Sequence, residues 1–511
     1  MQNFSTFLTG WNKILMTQII ATSYFAEGMR SYSDELFGPL ITASNTFASV
    51  EAKRFWERTP EDNFRIYAKL FSMNYELMKR YTEGTFNTLL RYNKRELIYF
   101  YKAYYATLLD PTDESLHDFF SRNEETLRRV VADYPKAILD IEPEYGFHFE
   151  RYPESLVAQT ERFELRRVVP TENGVKTDKS MKPVLIIPPF VLGANILSFL
   201  PGEKKSYAHS FANKGIPTYV RIIKDIHETP AVQTMTIEDD ARDMRFFCEF
   251  IKKEHKQMVT LNGYCQGGYS SLCNILSGEL DGLVDALITC VAPIDGTRSK
   301  GLGKFMHDLP SHFKDLAYGT KILANGNKIA NGELVGWIYK LKSIENSGPM
   351  IAFLKDIMLL SGKDNSALNI NKTVAALNFW LQTERSDLPL SVTEMSFRSY
   401  NIPITSDGTL PVTLFGRKLR LQRILEKNIK WLLCYGQTDD LVEKEVALAP
   451  LDFIDVQVTP FLKGHVAIAT SWSHPQSNCP LDSVFGAEKY VGPVRFHLDL
   501  MEDDQAKEAA A

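Results

Sequence analysis

No two cysteines in this chain are spaced as CxxC, which excludes a zinc ribbon or a thioredoxin-like redox pair. The six cysteines, at 248, 265, 273, 290, 434 and 479, mostly sit inside apolar runs, as reduced core thiols do, and point to a reducing cytosol. A basic excess is also missing. The net charge of −5 gives nucleic acid no footprint and argues against a mainly electrostatic membrane anchor. The N-terminal stretch lacks the basic start of a signal peptide, and Asn12, Lys13 and Gln18 interrupt its apolar part. It suits an amphipathic helix resting on an apolar surface or partner better than a spanning helix. There is no P-loop, no dinucleotide fingerprint, no metal-ligand cluster and no internal repeat. Proline is sparse in the first 133 residues, occurring only at 39, 60 and 111.

What is present divides the chain by texture. Residues 1–133 read as a helical region, with Phe71, Tyr75, Met78 and Tyr81 at helical spacing. Such a stripe is more often core than surface. "TPED" at 59–62 is a helix start, with Thr59 as N-cap and Pro60 at the first helical position. Beyond Pro135 strands alternate with helices. The segments 155–169, 182–190, 216–224, 257–262, 283–291, 429–436 and 454–461 have strand character. "TIEDDARDMRFFCEFIKK" (236–253) is an amphipathic helix with Thr236 and Asp239 placed for a capping box. This alternation predicts an α/β class with a mainly parallel sheet covered by helices on both faces. The expected divisions are the helical region 1–133, a first core part 134–299, a cap insertion 300–415, a second core part 416–500 and a disordered tail 501–511.

The chemistry concentrates at "GYCQG", 263–267. The pattern is that of a nucleophile elbow with cysteine in the serine place. A buried thiol with glycine neighbours would look the same locally. The preceding strand and following helix-compatible stretch favour the elbow. Gly263 and Gly267 would leave room for backbone to pass, and a helix starting near Gln266 would aim its N-terminus at the sulfur and favour the thiolate. The Gln266 N–H would face a developing oxyanion. The second donor should come from the loop after the early strand, "PPFVLG"; Pro188 and Pro189 carry no N–H, leaving Phe190 or Val191. An acid and then a histidine should follow in chain order. Asp439, with Asp440 as its rival, leaves one strand, and His465 leaves the last. A Cys265–His465–Asp439 triad is the expectation. Cys273, two helical turns beyond Cys265, reads as core; His474 as a plain loop residue or a pocket wall; Asp295 as a cap.

These residues resemble the polyhydroxyalkanoate synthases, α/β-hydrolase-fold enzymes with a cysteine nucleophile. The likeness runs over roughly 155–480, through "PVLIIPPF", "GYCQGGYS", "FW…DLP" at 379–389, "RSYNIPITSDGTLPVTLFGRKLRLQRI" at 398–424, "YGQTDDLV" and "GHVAIATSWSHP". Departures lie at 225–235 and 290–302. The resemblance implies a hydroxyacyl-CoA substrate such as 3-hydroxybutyryl-CoA, polymerised to a polyester through an acyl group on Cys265. His465 would be the base, and Asp439 would orient it or activate the incoming hydroxyl. Coenzyme A enters with the substrate and leaves as product, so no separate cofactor is implied. It further implies a cytoplasmic, granule-associated homodimer with a phasin-like helical partner. A hydrolase on the same fold (thioesterase, esterase or polyester depolymerase) and a non-catalytic granule scaffold are the alternatives.

Overall fold

The computed structural model describes residues 2–109, 113–361, 371–486 and 490–510. Two compact units emerge. One comprises 1–141 with 337–379, the other 142–336 with 380–511.

The first unit is helical. Two long helices, α1 (Gln2–Arg54) and α2 (Pro60–Leu109), are followed by α3 (Leu116–Arg128). Thr59 starts α2 as expected: its hydroxyl accepts the Asp62 N–H at 3.1 Å, and Pro60 begins the helix. The core gathers Ala21, Leu127, Val130, Phe353, Leu354 and Ile357. The aromatic stripe on α2 does not join it. Phe71, Tyr75 and Met78 are 74%, 65% and 60% exposed, so the expectation of core at these positions is corrected. The buried residues of α2 are Asn63, Thr88, Ala103 and Ala106. Small residues let neighbouring helices approach closely, and Phe71, Tyr75 and Met78 fall on the outer face.

The second unit is built on an eight-stranded sheet. Its strands are β1 (Leu156–Gln159), β2 (Phe163–Arg167), β3 (Val184–Ile187), β4 (Thr218–Ile223), β5 (Val259–Tyr264), β6 (Val284–Cys290), β7 (Lys430–Gly436) and β8 (Gln457–Phe461). They lie in the order β1-β2-β4-β3-β5-β6-β7-β8. β2 runs antiparallel to both its neighbours, and β4, β3 and β5–β8 are parallel. This order with a reversed second strand is the α/β-hydrolase arrangement. The stretch 155–169, read as one strand region, is the β1–β2 hairpin. β3 and β5 are buried on both faces, which explains their unbroken apolar character. The helix at 236–253 is α4 (Ile237–His255), and Thr236 and Asp239 form the complete capping box.

Boundaries differ from the expectation in three places. The helical unit extends to Ile141. The insertion 300–415 is divided, with 337–379 belonging to the helical unit and the flanks to the sheet unit. The helix Pro349–Leu360 explains this, because Phe353, Leu354 and Ile357 complete the helical core. The tail is not irregular, since the last helix continues to Ala510; an alanine-rich ending costs little to keep helical. Ala511 lies outside the described residues.

Candidate functional site

β5 ends at Tyr264 and α5 (Gln266–Ser277) begins two residues later. Between them Cys265 adopts φ 51°, ψ −122°, a left-handed conformation that costs a non-glycine residue about 1–3 kcal/mol. Main-chain hydrogen bonds hold it there. Cys265 N–H donates to Cys290 O at 2.8 Å, extending the β5–β6 ladder, and its carbonyl accepts Gly268 N–H at 2.9 Å. The glycines make the turn sterically feasible. A Cβ on Gly263 would lie 2.4 Å from Gly268 Cα, and one on Gly267 would lie 2.3 Å from Ile187 O at the end of β3. Every residue of α5 is buried. Of the six cysteines, five are buried and Cys265 is half-buried. Burial pushes Cys248 up to about 12 and raises Cys273 further, so these thiols stay protonated and Cys273 is core.

A buried polar network fixes α5 from below. Ser270 Oγ and Asn274 Nδ2 donate to Asp240 of α4, at 2.6 and 2.8 Å. Asp240 pairs with Arg221 of β4 at 2.6 Å, both almost wholly enclosed. The Arg221 guanidinium lies 4.2 Å from the centre of the Phe163 ring. The sequence reading did not find this network, because its members are scattered over three elements and follow no motif.

The loops after β7 and β8 run side by side. Gln437 N–H donates to Phe461 O at 2.6 Å. That pairing brings Asp439 Oδ2 within 2.8 Å of His465 Nδ1. The other Asp439 oxygen accepts the N–H groups of Leu441 and Val442, both at 2.9 Å. The rival, Asp440, is exposed, so the structure gives the imidazole to Asp439. Burial disfavours charge on His465, yet the Asp439 carboxylate, the Cys265 sulfur and the hydrogen bond that His465 donates to Asp439 outweigh it and raise its pKa to about 10. Tyr264, immediately before Cys265, donates its hydroxyl to His465 O at 2.6 Å and ties the histidine loop to the elbow. This tyrosine was not singled out from sequence; its position next to the nucleophile was the available signal.

The oxyanion expectation is met by a complication. Gln266 N–H stands at the first position of α5, where no intrahelical acceptor exists. Phe190 and Val191 are buried in the loop after β3. Val191 N–H, however, donates to the Gln266 side-chain Oε1 at 3.2 Å, and Gln266 Nε2 donates to Ser396 Oγ at 3.1 Å. The same loop is strapped by residues 380–386. Trp380 Nε1 donates to Leu192 O at 2.9 Å, Ser386 N–H to Val191 O at 3.2 Å, and Asn195 Nδ2 to Glu384 at 2.7 Å. Burial lifts the Glu384 carboxyl to about 7.

The minor candidates are structural. Asp295 caps the turn Gly296–Arg298, accepting the Thr297 N–H at 3.2 Å. His474 accepts the Gln476 N–H within a loop turn. Among the described residues, no cluster of three or more His, Cys, Asp or Glu side chains could hold a metal ion, and no helix is long and apolar enough to cross a membrane.

No family model and no curated protein matches the chain. Solved structures similar to it include carboxylesterases of the thaumarchaeon Nitrososphaera gargenis, at 14% identity and a TM-score of 0.34, over 61% of this chain and 92% of that one. Est1E from Butyrivibrio proteoclasticus is similar at 10% identity and a TM-score of 0.31, over 70% and 98%. The esterase RhEst1 from a Rhodococcus species is similar at 11% identity and 0.31, over 66% and 92%. It is the strand order, the reversed second strand and the left-handed elbow of the chain itself that make this an α/β-hydrolase fold.

Proposed function

We propose that the chain is an acyltransferase that carries an acyl group on Cys265 and, following its sequence resemblance, polymerises hydroxyacyl-CoA into polyhydroxyalkanoate. The observation that carries the reading is the left-handed Cys265 at the start of α5, at the same edge of the sheet as a bonded His465–Asp439 pair. With the proton already held on His465, the Cys265 sulfur attacks the thioester carbonyl. The new C–S bond forms as the bond to coenzyme A sulfur breaks, and the departing thiolate recovers the proton. A hydroxyl of the next unit then gives its proton to His465, attacks the acyl-cysteine and releases the Cys265 thiolate. Asp439 stabilises the imidazolium in both halves. Thioester exchange on a thiol is nearly isoenergetic, which suits a carrier. The 380–386 strap fixes the loop after β3, and exclusion of water from the acyl-cysteine is what would favour transfer over hydrolysis.

The exposed aromatic residues of α2 are consistent with a granule surface or a helical partner, and a homodimer is part of the same proposal. Incubation of the purified protein with 3-hydroxybutyryl-CoA tests the reading. Release of coenzyme A with polymer is expected, and is lost in Cys265→Ala. Free hydroxyacid without polymer would replace the synthase by a hydrolase. No release of coenzyme A, with Cys265 alkylated no faster than an ordinary thiol, would leave a non-catalytic scaffold.

A further inference from the structure

The Gln266 side chain does more than its place in the elbow requires. In this motif the residue after the nucleophile contributes its main-chain N–H. Here the side-chain amide is buried as well and bridges two elements. Its Oε1 accepts the Val191 N–H at 3.2 Å, and its Nε2 donates to Ser396 Oγ, at 3.1 Å, on α6 (Leu390–Asn401). The Val191 N–H is one of the two donors available after the early strand, because Pro188 and Pro189 have none. A single N–H engaged by an amide oxygen is not free to stabilise an oxyanion.

We propose that Gln266 is a positioning residue that closes the oxyanion site in the resting chain: an acyl substrate gains the Val191 N–H only by displacing the Gln266 amide. The inference rests on the reading of Cys265 as an acyl-accepting nucleophile. The exchange is physically modest. One buried neutral hydrogen bond is given up and a bond to a developing negative oxygen, the stronger kind, replaces it. The donor is thus retained for the transition state, and the site is occupied by a polar group when no substrate is present.

Gln266→Met keeps the side-chain length and removes the amide. Single-turnover acylation of Cys265 by a chromogenic thioester is expected to become about 2- to 10-fold faster, the factor set by one net neutral hydrogen bond. The gain should appear in the acylation rate constant at saturation rather than in the substrate concentration needed, because the oxyanion exists only near the transition state. Alkylation of Cys265 by iodoacetamide is measured beside it. Displacement at a saturated carbon forms no oxyanion, so its rate should not change. Gln266→Glu should slow acylation at least about tenfold, since a carboxylate grips the N–H more tightly and repels the oxyanion. If Gln266→Met fails to fold, Ser396→Ala releases the amide from its other end and should accelerate acylation by a smaller factor. Unchanged or slower acylation in a folded Gln266→Met protein overturns the proposal, as does a parallel change in alkylation, which would locate the effect on the sulfur. If the unmodified protein never acquires an acyl group while iodoacetamide still labels Cys265, the acyl-carrier reading itself is wrong, and the gate falls with it.

Discussion

Gly267→Ala is the sharpest perturbation of the elbow. An added Cβ would sit 2.3 Å from Ile187 O and 2.5 Å from Pro188 O. Ordinary contact begins near 3.4 Å, so relief requires roughly 1 Å of separation between the start of α5 and the end of β3. Both obstacles are main-chain atoms, one of them at the end of a fully buried strand, and neither can rotate away. α5 cannot retreat easily, because it is buried along its whole length and held through Asp240. Overpacking of this kind costs about 1–3 kcal/mol or more. It also moves the Gln266 N–H and Cys265 away from the loop after β3, and a misplacement of about 1 Å can cost on the order of a hundredfold in rate. Gly202→Ala is the matched control: a Cβ there meets nothing within 4 Å. Thermal melts and Cys265 acylation of the two variants form the assay. Gly267→Ala should melt several degrees lower and acylate on the order of a hundred times more slowly, while Gly202→Ala behaves as the parent. A Gly267→Ala protein with parental melting and acylation would refute the claim that the elbow packs against the end of β3.

Asp439→Ala removes the acceptor of the His465 Nδ1 contact and of two main-chain N–H groups; single-turnover acylation should fall by roughly 10²-fold or more. His465, raised to about 10 in the folded chain, has an unfolded value near 6.5. The stability it confers is therefore fully present below about pH 6.5 and is lost as the pH rises towards 10. Urea midpoints should fall across that window, and fall less in His465→Gln; equal slopes in the two proteins would count against the assignment. Arg221→Met leaves the Asp240 carboxylate enclosed without its cation and should destabilise the sheet unit by about 3–5 kcal/mol, read by chemical denaturation. A loss below about 1 kcal/mol would mean that the hydroxyl and amide donors suffice.

The parts legible in the sequence are those written in short-range patterns. Alternating apolar strands and amphipathic helices announced the sheet, and Thr236 with Asp239 marked the start of α4. "GYCQG" marked the elbow, because its geometry depends on neighbouring residues: a strand, a tight turn that only glycine leaves space for, and a helix. What the sequence could not carry was any contact closed over a long stretch of chain. The motif favours Asp439 over Asp440, but the contact of Asp439 with His465 depends on the pairing of the β7 and β8 loops. The exposure of the α2 aromatics followed from which face the small residues bury. The division of 300–415 followed from Phe353 and Leu354 completing a core that begins at Ala21. Gln266 is the clearest case. Its main-chain role is local and readable in the motif, whereas its side-chain role needs Val191, 75 residues earlier, and Ser396, 130 residues later. Local geometry is set by neighbours in the chain, but the occupant of a buried hydrogen-bond donor is set by whatever the tertiary fold brings within about 3 Å of it.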